Sequence, residues 1–135
     1  MKDTGPNPLV LNIEHATVTN ETFRTALWTG KNMQMTVMSI EPGDDIGMEV
    51  HEDHDQFLRI ESGNGTVYMG DSEDSLETWQ AADDDAIFVP AGKWHNVVNT
   101  GEEALKLYSI YAPAEHEHGT VHETKAIADA AEHDH

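Results

Sequence analysis

Residues 43–63 read GDDIGMEVHEDHDQFLRIESG, and residues 90–99 read PAGKWHNVVN. In an extended chain residues i and i+2 share a face, so Glu49 and His51 project to one side while Val50 points to the other. Gln56 opens the next apolar run, with Leu58 and Ile60 on its own face and Phe57 and Arg59 opposite. Arg59 is thereby assigned outward, to a salt bridge or a subunit interface. His95 follows the tight turn Pro90-Ala91-Gly92. Three strands from two hairpins would converge Glu49, His51, Gln56 and His95 on one point inside a barrel.

The rest of the chain supports an all-β reading. Strands are expected at Leu9–Ile13, Phe23–Thr29, Met33–Ile40, Gly47–His51, Gln56–Glu61, Thr66–Met69, Glu77–Gln80, Ala86–Val89, Trp94–Asn99 and Leu105–Tyr111. Gly63-Asn64-Gly65, Gly70-Asp71 and Asn99-Thr100-Gly101 punctuate them, and many short strands with Gly-rich turns indicate a sandwich or barrel. This domain is expected to span residues 1–113. Residues 114–135 form a polar, His-rich extension with an Ala-rich helix expected from about Lys125 to Glu132. His116, His118, His122, His133 and His135 all lie there. They suit a polar tail, or a segment from His116 to His122 folded over a barrel mouth.

With 135 residues the chain fits one domain. Cysteine is absent, so any metal site must use imidazole and oxygen donors. Against 7 Lys and Arg stand 26 Asp and Glu, a formal charge of −19, which argues against nucleic acid and anionic membranes as partners. Acidic clusters such as Asp83-Asp84-Asp85 suit a surface tuned for high salt, where self-repulsion is screened. No apolar run approaches the length of a membrane span, and Met1 to Pro6 lacks the apolar centre of a secretory signal. A cytoplasmic location is expected.

The spacing of the two quoted stretches resembles the cupin family. Its first motif, G-x5-H-x-H-x(3,4)-E-x6-G, falls on Gly43, Glu49, His51, Gln56 and Gly63; its second, G-x5-P-x-G-x2-H-x3-N, falls on Asp84, Pro90, Gly92, His95 and Asn99. Glu49 replaces a histidine, Gln56 a glutamate and Asp84 a glycine. The resemblance implies a double-stranded β-helix, or jelly-roll barrel, with a short C-terminal helix. It also implies a homodimer, and a divalent ion (Zn, Mn, Fe, Co or Ni) held by Glu49, His51, Gln56 and His95. Such a mixed nitrogen and oxygen set does not select among these metals. The bland reading of the same four residues is a hydrogen-bonded polar cluster, with Glu49 and His51 as an ion pair. On the motif register His54 occupies no ligand position and is expected to be a solvated loop residue.

Within cupins the chain is similar to small single-domain members related to mannose-6-phosphate isomerase, through Asp55–Ile60, Pro90–Asn96 and Leu107–Pro113. That implies metal-assisted aldose–ketose isomerisation of a small polar molecule, a sugar or sugar phosphate. Glu49, the one carboxylate of the quartet, is the candidate base, although ligation weakens a carboxylate as a base. The alternatives are a metal-dependent dioxygenase and a binding module without turnover. Met33, Met35 and Val37 are candidates for a pocket wall, and Trp28, Trp94, Tyr108 and Tyr111 for its mouth. Arg24 and Lys106 are among the few cations able to meet an anionic substrate, but sequence parity does not say which face is inward.

Overall fold

A computed structural model describes residues 2–133, with the side chains of Glu132 and His133 excepted; His135 of the expected His-rich tail lies outside the described residues. Helix α1 spans Ile13–Val18 and helix α2 Lys125–His133. The strands are β1 (Arg24–Thr29), β2 (Gln34–Ile40), β3 (Asp55–Ser62), β4 (Asn64–Ser72), β5 (Ser75–Ala82), β6 (Ala86–Val89), β7 (Trp94–Asn99), β8 (Leu105–Ala112) and β9 (Val121–His122). They form a six-stranded sheet in the order β6-β3-β8-β2-β1-β9 and a three-stranded sheet in the order β5-β4-β7, all antiparallel. This is the jelly-roll barrel expected from the sequence, and the C-terminal helix lies where its Ala-rich composition placed it.

The larger sheet buries both faces. Met38, Ile40, Leu58, Ile60, Leu105 and Leu107 point inward and meet Val67 and Val97 of the smaller sheet. Met35, Val37, Phe57, Tyr108 and Ile110 point outward and are covered by Ile13 and Ala16 of α1. Met35 and Val37 therefore form no pocket wall, Met33 is exposed, and Tyr108 belongs to the outer layer.

Two expected strands do not form as read. Leu9–Ile13 gives way to α1, because the Asn12 side chain accepts from the His15 amide at 2.9 Å and caps the helix. Val10 is left almost fully exposed. Residues 47–51 make one isolated bridge, Glu49 with His95; another, Asp45 with Val98, precedes them, and Gly47 at φ 96° separates the two. The segment after Pro113 is stitched to the barrel. Strand β9 pairs with β1, Ala128 of α2 is buried in the inner core, and Gln34 binds the backbone of Glu115 and His116 through both ends of its amide. Asp3 ties the N-terminus to both regions, accepting from the amides of Gly5, Thr29 and Gly119 at 2.9–3.0 Å and from the Thr29 hydroxyl at 2.5 Å.

Candidate metal centre

The backbone brings the site together across forty-odd residues of sequence. Glu49 and His95 exchange two hydrogen bonds, N to O at 3.0 and 2.9 Å, so their side chains leave the same face of the pairing. The Gly92 amide binds His51 O at 2.9 Å and fastens the turn before β7 to the same segment. Gly92 holds φ 86°, a left-handed turn conformation that costs glycine nothing. Asp84, at the position of the motif's first glycine, has φ 75°, and aspartate is among the residues that tolerate that region. Asn99 is structural: its side chain binds Ile40 O, Glu103 O and the Gly101 amide.

Glu49, His51 and His95 each bring a donor atom within 4.8 Å of the others and could hold a metal ion. His51 Nε2 lies 2.9 Å from Glu49 Oε2, and the His51 and His95 ring centres are 5.4 Å apart. His95 is 1% exposed. Burial pushes its imidazole below the ordinary histidine range, against the Lys93 carbonyl and Glu49, so it is neutral at neutral pH. Its Nδ1 lies 3.1 Å from Lys93 O, which leaves a lone pair on Nε2, and that buried atom has no hydrogen-bond partner. Gln56 shows the same division. Its Nε2 donates to Ser109 Oγ at 2.8 Å while the buried Oε1 accepts nothing. In β-sheet register Gln56 stands beside Tyr111, whose ring lies 6.2 Å from that of His51. Two buried donor atoms held without partners, one of them on the His95 ring that neighbours the Glu49–His51 contact, fit a cation. A hydrogen-bonded polar cluster would have consumed those lone pairs.

One residue, Glu115, went unrecognised in the sequence. Glu115 Oε2 lies 3.4 Å from Nδ1 of both His51 and His54, and His54 Nε2 lies 3.1 Å from Ala114 O. His54 is therefore not a solvated loop residue but half-buried, and with His51 and Glu115 it forms a second cluster able to hold a metal ion. His116, named in the sequence only as part of a segment folded over a barrel mouth, has its ring 5.3 Å from Tyr111 and 6.2 Å from His122. Burial, with Arg24 adding to it, pulls His116 down to about 3. The segment from His116 to His122 does fold against the site. Of the aromatic residues considered for the mouth, Tyr111 is the one brought to this cluster; Trp28 donates to Asn7 O elsewhere.

The chain is similar to known proteins. The chain is 62% identical over 133 residues to the uncharacterized protein YrkC of Bacillus subtilis (strain 168), covering 98% of this chain and 72% of that one. It is 35% identical over 113 residues to the uncharacterized protein L612 of Acanthamoeba polyphaga mimivirus, covering 83% and 69%. The crystal structure of BH2720 from Bacillus halodurans superposes with a TM-score of 0.95 at 59% identity, covering 96% of this chain and 99% of that one. Residues 36–111 match the family model described as a cupin domain, and this chain belongs to the cupin family.

Proposed function

We propose that this cupin is a metal-dependent enzyme for a small polar molecule, with Glu49, His51, Gln56 and His95 as the metal ligands and isomerase-like chemistry on a sugar-type substrate. The supporting observation is the unspent buried donor His95 Nε2 in the Glu49–His51–His95 cluster, with Gln56 Oε1 likewise buried and without a partner. A divalent ion there supplies a Lewis acid for the substrate's carbonyl and hydroxyl oxygens.

The chain's own residues do the positioning. Lys93 O orients His95, Ser109 orients Gln56, and Glu115 faces the outer nitrogen of His51. Glu49 is the candidate to take a proton from a carbon beside a carbonyl and return it to the next carbon.

Chelator-stripped protein titrated with first-row divalent metals is expected to take up one equivalent. His51→Ala and His95→Ala each abolish that uptake while the far-ultraviolet spectrum stays that of the barrel. Full occupancy in the double variant contradicts the assignment. Gln56→Glu is expected to retain the metal, since a carboxylate oxygen replaces an amide oxygen and adds charge. Loss of binding in that variant removes Gln56 from the ligand set. Interconversion of aldose and ketose substrates without oxygen supports the isomerase reading, whereas strict dependence on Fe²⁺ and O₂ replaces it with the dioxygenase. Binding without product replaces it with a non-catalytic module. Homodimerisation stays part of the proposal, and light scattering at monomer mass contradicts it.

A further inference from the structure

Among the described residues, Arg24 is the one Lys or Arg on the inner face of the barrel. It stands opposite Met38 on β2 and His122 on β9, and directly opposed residues of antiparallel strands share a face, so its side chain points inward. It is 2% exposed. Nη1 lies 3.2 Å from His122 Nδ1, and Nε is buried without a hydrogen-bond partner.

No carboxylate of the described residues comes within ion-pairing distance of Arg24, in a chain with 26 acidic residues. The other cations are spent or exposed. Arg59 pairs with Glu61 and Asp84, Lys93 with Asp71, and Lys125 with Asp45 and Asp129. Lys106 donates to Asn20 O, while Lys2 and Lys31 face solvent. A buried charge normally persists because something pairs with it, and Arg24 has only the Phe23 ring, 5.2 Å from its guanidinium carbon, and the neutral His122 ring among the described residues.

Its surroundings lead to the metal centre. From Arg24 the contacts run through His122 and His116 to Tyr111 and His51. Thr36 Oγ1 and His116 Nε2 are likewise buried and unpartnered, and Thr36 shares the inward face with Arg24. Arg24 Nε, Thr36 Oγ1, His116 Nε2, Gln56 Oε1 and His95 Nε2 make an interior furnished with polar atoms whose partners are missing.

We infer that Arg24 is the anion subsite of the centre, and that it takes the carboxylate of a small hydroxy or keto acid whose other oxygens face Glu49, His51, Gln56 and His95. The inference rests on the metal-binding reading of that quartet and deepens it, selecting an acid sugar or hydroxy acid over a sugar phosphate. A guanidinium edge, Nε–H beside Nη–H, matches the two oxygens of a carboxylate. A phosphate dianion asks for a second cationic side chain, and among the described residues every other Lys and Arg is engaged elsewhere or exposed.

Metal content is measured first, on wild-type protein and Arg24→Met loaded with Mn²⁺. Both are then titrated calorimetrically with glycolate, with its neutral amide glycolamide, and with inorganic phosphate. Wild-type protein is expected to bind glycolate at least tenfold more tightly than glycolamide, and phosphate more weakly than glycolate. Arg24→Met is expected to hold the same metal equivalent and lose the preference for glycolate. Absent or equal binding of glycolate and glycolamide to loaded wild-type protein overturns the subsite without touching the metal reading, and needs no variant. An unchanged preference in Arg24→Met overturns it too. Tighter binding of phosphate overturns the carboxylate assignment. Wild-type protein that takes up no metal overturns the quartet reading and this inference together, before any acid is added.

Discussion

The inner face of the six-stranded sheet changes chemistry halfway along its strands. On β2 Gln34 and Thr36 are followed by Met38 and Ile40; on β3 Gln56 is followed by Leu58 and Ile60; on β8 Leu107 is followed by Ser109 and Tyr111. All ten are 5% exposed or less, so burial does not distinguish the two ends. What distinguishes them is satisfaction. The apolar end is closed upon itself, whereas the polar end keeps Thr36 Oγ1, Gln56 Oε1 and His95 Nε2 without partners. An unsatisfied buried polar atom costs about 1–3 kcal/mol. One end of the barrel therefore supplies stability, and the other spends part of it to remain ready for a ligand.

The largest effect belongs at the apolar end. Leu58→Ala or Leu107→Ala, both at fully buried positions, is expected to cost about 2–5 kcal/mol in urea unfolding of the metal-free protein. The metal stoichiometry of the folded fraction stays unchanged. A loss of metal without a loss of stability would break the division of labour.

Next comes Asp3, outside both ends. Burial pushes its carboxyl up, but the Thr29 hydroxyl, the Gly119 and Gly5 amides and His118 together hold it below the usual carboxylate value of 3.8. Its native pKa is depressed, so its contribution is complete above the unfolded value and is lost as pH falls through the native one. Asp3→Asn is expected to cost about 1.5–3 kcal/mol at neutral pH and to flatten the acid limb of the stability profile. An unchanged acid limb would show that the knot contributes nothing.

Gln56→Leu tests the polar end. Metal-free stability is expected to stay within about 1 kcal/mol of wild type, because an orphaned acceptor leaves as the Ser109 contact is lost. Metal affinity falls. A cost as large as that of Leu58→Ala would abolish the contrast between the two ends. The smallest effect per site is that of salt. The −19 charge is expected to raise the melting temperature between dilute buffer and molar salt, where the screening length shrinks to about 3 Å; a flat response removes the high-salt reading.

The sequence resolved what period and spacing encode. Gln56, Leu58 and Ile60 share the inward face as their alternation required, and Glu49, His51 and His95 meet as the motif spacing implied. It did not resolve contacts made by segments without a period. Glu115 reaches His51 and His54 from a polar stretch with no pattern, and β9 is two residues long. Arg24 alternates as any strand residue does, and only pairing with Met38 shows that it faces inward. At Leu9–Ile13 the apolar run was legible and misleading, since the Asn12 cap outweighed β propensity.

The account depends most on a cation between two imidazoles from opposite motifs. Anomalous diffraction from metal-loaded crystals, collected on either side of the metal's absorption edge, tests this directly. One strong peak within bonding distance of His51 Nε2, His95 Nε2 and Gln56 Oε1 is the expected result. A peak between His54 and Glu115 instead, or none in crystals grown from fully loaded protein, contradicts it.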